Sequence, residues 1–120
     1  MNKPRVFDVW FANYSYADNP HRSKNRPVII LSVDDQRATV LSLKVTSNIW
    51  RSEPGYVLLQ DWHEAGLRKP SAARCQDILE IPMSKIIKNT DFGRLTVSDA
   101  DRIVQTLRDL YGSEITYRQD

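Results

Sequence analysis

The order of apolar and polar positions divides the chain into a β-rich body and one terminal helix. Its centre is the stretch SKNRPVIILS, residues 23–32. Val28, Ile29, Ile30 and Leu31 form an unbroken, mostly β-branched apolar run. Its length suits a strand buried on both faces and is short for a helix. Pro27 opens the run, where a strand tolerates the missing N–H. This predicts a rigid central strand over Pro27 to Val33, with the Arg26 guanidinium fixed at its mouth.

The other elements follow from the same periodicities. Arg5 to Ala12, RVFDVWFA, is rich in β-formers and predicts the first strand. Asn13 to Asn25, NYSYADNPHRSKN, reads as a long polar loop. Asp34, Asp35 and Gln36 mark a tight hairpin turn. In the third strand, Ala38 to Ser47, Leu41, Leu43 and Val45 alternate with Ser42, Lys44 and Thr46, the period of a half-buried strand. Asn48 to Gly55 is a second loop, carrying Trp50 and Arg51 and closing on Pro54-Gly55. Tyr56 to Gln60 predicts a fourth strand, residues 61–70 a short excursion broken by Gly66 and Pro70, and Ser71 to Ile81 a fifth strand. Asp77 and Ile78 interrupt the alternation of that strand. Met83 to Lys88 has the length of one helical turn. Thr96 is a helix cap with Asp99 near the positive end. Val97, Ala100, Ile103, Val104, Leu107, Leu110 and Tyr111 then make one apolar stripe that stops at Gly112. Short strands followed by an amphipathic helix predict a mainly β domain spanning residues 1–120, a small bent sheet or barrel with the helix packed against it.

Composition narrows the function classes. At 41% hydrophobic and 27% charged residues the chain reads as soluble and globular. No apolar run reaches the roughly 20 residues of a membrane span. The first residues, MNKPRVFDVW, lack the features of a signal peptide. With Cys75 as the single cysteine, an internal disulfide and a cysteine-built zinc site are both excluded. These features predict a cytoplasmic protein. The charge is uneven: residues 1–88 hold 13 Lys and Arg against 9 Asp and Glu, whereas residues 89–120 hold 4 against 6. A basic body suits an anionic partner, although on totals alone the ordinary charge of a solvated surface is the simpler reading.

Three polar groups come from strands that such a fold brings together. Arg26 begins the second strand, Thr46 ends the third, and Arg74 projects from the fifth. His21, Lys24 and Lys44 lie near them in sequence or on the same face. An arginine fork and a hydroxyl converging on one spot suit a phosphate. Tyr14, Tyr16 and Trp50 suit stacking on unpaired bases. Each has a plainer alternative: Arg26 as a surface ion pair, Thr46 as a common strand residue, Arg74 as a solvated side chain. His21 and His63 lie far apart with no Glu or Cys at ligand spacing, so no metal site is predicted. No Gly-rich phosphate loop or nucleophile elbow is present. Any enzyme here is expected to work without metal or nucleotide cofactor.

At these residues the chain resembles the MazF/PemK toxins. The resemblance is carried by Phe7-Asp8-Val9-Trp10, by Lys24-Asn25-Arg26-Pro27-Val28-Ile29-Ile30 and by Lys44-Val45-Thr46-Ser47. It continues in Ala65-Gly66-Leu67-Arg68-Lys69-Pro70-Ser71 with Ala73-Arg74-Cys75-Gln76, and in Gly93-Arg94-Leu95-Thr96. It implies a compact SH3-like barrel of the CcdB/PemK type, a homodimer, and the toxin of a type II toxin–antitoxin pair. Such a toxin is a sequence-specific endoribonuclease on single-stranded RNA that needs no metal, and an antitoxin with an acidic disordered tail neutralises it. The resemblance places the catalytic residues at Arg26, Thr46 and Arg74. RNA contacts are expected at His21, Arg22, Lys24, Lys44, Ser47, Trp50 and Gln76.

Two departures stand out. Phe7 occupies the place of a strand-opening glycine. On the later strand one family member has Arg-Cys-Asp-Gln, where this chain has Arg74-Cys75-Gln76-Asp77. A shift of one residue on a regular strand turns a side chain to the other face, which argues against Asp77 as the catalytic acid or base. A non-cleaving binder of the same fold, such as the gyrase-binding toxin CcdB, is the alternative reading.

Overall fold

The computed structural model describes residues 3–16, 19–50, 53–88, 91–112, 115 and 117–119; for 14–16 and 19–24 it describes the backbone alone. The strands are Val9–Tyr16 (β1), Asn19–Asp34 (β2), Thr39–Thr46 (β3), Tyr56–Leu58 (β4), Ala72–Pro82 (β5) and Ile86–Ile87 (β6). A 3-10 turn, Met83–Lys85, precedes β6, and the helix α1 spans Val97–Tyr111. Among the described residues the strands form an open, antiparallel sheet in the order β4-β5-β3-β2-β1-β6. The mainly β fold with one C-terminal helix is the one expected.

The apolar run of β2 is buried on both faces. Ile29 and Leu31 join Leu43, Ala73 and Cys75 in the core beneath α1, which contributes Ala100, Ile103 and Leu107. Val28 and Ile30 join Trp10, Ala12, Val40 and Ile81 in a second core on the opposite face, where Met83 and Ile86 fold over them. The alternation of β3 is also as expected, with Leu43 and Val45 on the helix side. Ser42, on the other side, is fully buried and donates to the Leu79 carbonyl at 3.3 Å.

Of the segment expected as a polar loop over residues 13–25, the described residues 13–16 and 19–25 are instead the outer part of a long hairpin. Asn13 pairs with Asn25, Tyr14 with Lys24 and Ser15 with Ser23, and the arm closes at Tyr16 and Asn19. Backbone ladders need no apolar side chains, so a polar arm extending beyond the core forms strands without a hydrophobic pattern. The start of the first strand shifts accordingly. Residues 5–8 form a turn in which Phe7 has φ +70°, and regular pairing begins at Val9. Residues 59–60 leave the fourth strand to join a set of turns. The segment after Pro82 supplies β6, which pairs Phe11 with Ile87 and Ala12 with Ile86.

Helix α1 begins where its cap predicts. The Thr96 hydroxyl accepts from the Asp99 N–H at 3.3 Å and donates to Asp61 at 2.7 Å. Asp99 is completely buried, and its carboxylate accepts the backbone N–H groups of Gln60 (3.1 Å) and Asp61 (2.9 Å) and pairs with Arg102. The helix is thereby tied to the turn that follows β4. Gly112 at φ +70° ends it. No helix of the described residues is long and apolar enough to cross a membrane.

Candidate active site

Residues directly opposite in an antiparallel ladder point to the same face. One cross-strand row therefore runs Tyr56, Arg74, Lys44, Val28 and Trp10 on the face away from α1. Two residues along, Thr46 stands opposite Ala72, Ala72 opposite Leu58, and Arg26 opposite Ala12. The β2–β3 ladder ends at Val28 and Lys44. Carrying its register on by two residues sets Arg26 level with Thr46, at the point where the two strands part. Arg26, Thr46, Lys44 and Arg74 thus share one face, next to an apolar floor of Val28, Ala12 and Trp10.

Each group is held differently. Thr46 Oγ1 accepts the Asn48 N–H at 3.1 Å, which fixes the hydroxyl and leaves its proton to donate outward. The Arg74 guanidinium lies 5.5 Å from the Tyr56 ring centroid, a cation–π contact. Its Nε stands 2.8 Å from Asp77 Oδ2, an ion pair off the N–H direction. Trp50 is 89% exposed on the loop after β3, and Ser47 is exposed beside Thr46.

The contact with Asp77 removes the objection that a one-residue shift turns this carboxylate to the other face. Leu43 pairs with Ile78 and Lys44 with Arg74, so Cys75, Gln76 and Asp77 have no partner on β3. This three-residue bulge resets the alternation and returns Asp77 to the side of Arg74. Gln76, expected at the RNA, donates to the Pro54 carbonyl at 2.6 Å and holds the turn before β4. Cys75 is fully buried on the helix side, where desolvation pushes its thiol up to about 12. The side chains of His21 and Arg22, and of Lys24, lie outside the described residues, although the backbone places them on the outer part of β2. Tyr56, which joins the row opposite Arg74, carries no signal in the sequence beyond opening a strand. Among the described residues no group of three or more His, Cys, Asp and Glu side chains could hold a metal ion.

A family model described as PemK-like, MazF-like toxin of type II toxin–antitoxin system matches residues 5–111. The chain belongs to this toxin family. Its fold is similar to that of an endoribonuclease solved with its cognate antitoxin from a mycobacterial species, with TM-score 0.71 and 17% identity over 95% of this chain and 100% of that one. The MazE–MazF complex (Form-II) of Deinococcus radiodurans matches with TM-score 0.75 and 14% identity, covering 95% of this chain and 100% of that one. Mycobacterium tuberculosis toxin MazF-mt6 matches with TM-score 0.66 and 21% identity, over 87% and 95%. At these identities the likeness is one of fold. No curated protein matches the sequence.

Within this PemK-like chain the departure at Phe7 has a backbone reason. At φ +70° the residue before Asp8 occupies the left-handed region that glycine enters freely. Phe7 holds that conformation through its N–H bond to the Ile30 carbonyl at 2.6 Å and its ring contact with Tyr117, with centroids 5.8 Å apart. The toxin's first turn therefore holds a bulky residue in a strained position.

Proposed function

We propose that this PemK-like toxin is a sequence-specific endoribonuclease that cleaves single-stranded RNA without a metal. The observation that carries the reading is the convergence of Arg26, Thr46, Lys44 and Arg74 on one face at the end of the β2–β3 ladder. Cleavage proceeds by attack of a ribose 2′-oxygen on the adjacent phosphorus, with loss of the 2′-hydroxyl proton and rupture of the bond from phosphorus to the 5′-oxygen. The 5′-oxygen leaves with a proton given by the Arg26 guanidinium, which water restores, so the products are a cyclic phosphate and a 5′-hydroxyl end.

The protein aligns this attack and neutralises the charge that builds on the phosphate oxygens. Arg26 is the main stabiliser, and Thr46 donates its hydroxyl proton to a phosphate oxygen. Arg74 adds charge, held by the ring of Tyr56. An arginine, with a pKa above about 12, is a poor base. Asp77, beside Arg74, is the carboxylate within reach to accept the 2′-hydroxyl proton. Ser47, Lys44 and Trp50, together with His21, Arg22 and Lys24 on the hairpin arm, line the path of the strand; Gln76 acts by shaping the turn at Pro54.

The partners proposed are single-stranded RNA, a second copy of the chain, and a cognate antitoxin with an acidic disordered tail that covers the cationic face in the cytoplasm. Solved toxins of similar fold bound to their antitoxins support an antitoxin as partner. The test is incubation of purified protein with a long single-stranded RNA in EDTA, followed by mapping of the ends. Cuts at a short recurring sequence with cyclic-phosphate ends support the proposal. Intact RNA in the presence of well-folded protein refutes it in favour of a non-cleaving binder.

A further inference from the structure

The bulge that brings Asp77 to Arg74 is fastened from outside the sheet. Residues in a bulge lose ladder hydrogen bonds, and their backbone groups need other partners. Cys75 finds both. Its N–H donates to the Gly55 carbonyl at 2.8 Å, and its carbonyl accepts the Tyr111 hydroxyl at 3.1 Å. Tyr111 is the last residue of α1, on the face opposite the candidate site. Its hydroxyl therefore reaches the backbone one residue from Arg74 and two from Asp77.

The turn carrying Gly55 is packed between the same two elements. A Cβ on Gly55 would come within 2.8 Å of Gln76 Oε1 and 3.2 Å of Leu110 Cδ1. The helix end, the turn and the bulge thus form one assembly, with the catalytic face on its far side.

Resting on the RNA-cleaving reading above, we infer that Tyr111 is a positioning residue that sets the Arg74–Asp77 pair through the carbonyl of Cys75. It touches no substrate. A displacement of about 1 Å at a reacting group costs catalysis far more than binding. Loss of the hydroxyl therefore lowers kcat and leaves KM for RNA nearly unchanged.

The test is Tyr111→Phe, which removes one oxygen. Thr96→Ala serves as a control, removing the cap at the other end of the same helix without touching the bulge. Two readouts are taken: cleavage kinetics, and the NMR resonance of the Arg74 Nε–H group. Tyr111→Phe is expected to lower kcat about tenfold, with KM within about twofold, and to move the Arg74 resonance. Thr96→Ala is expected to lower Tm and leave both readouts in place. In an Asp77→Asn background, Tyr111→Phe is expected to cost nothing further. Wild-type kcat and an unmoved Arg74 resonance in Tyr111→Phe overturn the inference, as does an equal response in Thr96→Ala. If the wild-type protein leaves RNA intact, the enzymatic reading fails, and the Arg74 resonance alone decides whether Tyr111 sets the pair.

Discussion

Asp77 Oδ2 stands 2.8 Å from Arg74 Nε, although three residues along a regular strand would put the two side chains on opposite faces. The bulge at Cys75, Gln76 and Asp77 makes the contact possible. It also puts the Asp77 carboxylate on the face of Arg74, where the proposed reaction would use the guanidinium to bind phosphate and the carboxylate to accept a proton.

The pair is therefore expected to act as a unit. Asp77→Asn keeps the shape and removes the basic oxygen. It should lower the cleavage rate by about 100-fold, the scale seen when one positioned catalytic group is lost. Arg74→Ala should cost a similar amount, and the double variant about as much as either alone. Single-turnover cleavage of one short RNA measures all three. Additive losses would mean that the residues work independently.

The buried carboxylate of Asp99 joins the helix to the turn after β4 through two backbone N–H groups and Arg102. Asp99→Ala leaves those donors without partners in a dry site. The expected loss is about 3 kcal/mol of folding stability, measured as a lowered denaturant midpoint with an unchanged slope.

Cys75 links stability to alkaline pH. Its thiol is pushed from 9.0 up to about 12 by burial, so the native state keeps its proton while the unfolded chain releases it. Between pH 9.0 and about 12 the unfolded state binds fewer protons, and stability falls as pH rises through this window. Below it the contribution is complete. Cys75→Ala should flatten that part of the profile, as followed by Tm against pH, and the native thiol should resist alkylation at neutral pH.

Much of this architecture is legible in the sequence because its cause is local. The stripe from Val97 to Tyr111, capped by Thr96 and stopped by Gly112, fixes α1 almost to the residue. The alternation from Leu41 to Thr46 puts Lys44 and Thr46 on the site face. The pattern fails where backbone pairing has no apolar accompaniment. The sequence over residues 13–25 carries a proline, tyrosines and basic groups with no apolar alternation, so the strands of this arm are written only in the ladder. That Arg26 and Thr46 fall on one face is legible because β2 and β3 are adjacent strands of a hairpin. The bulge is not, because extra residues on one strand show themselves only against a partner strand. Asp77, Gln76 and the strut from Tyr111 consequently had no signal beyond the broken alternation at Asp77 and Ile78.

The central claim is that the face carrying Arg26 cuts RNA. Its most direct measurement compares wild type and Arg26→Ala on the same single-stranded RNA in EDTA, with folding checked by circular dichroism. Arg26 is exposed within β2, just beyond the end of the β2–β3 ladder, so the variant should keep its fold while its rate falls by at least about 100-fold. A folded Arg26→Ala protein that cuts at the wild-type rate would contradict the account.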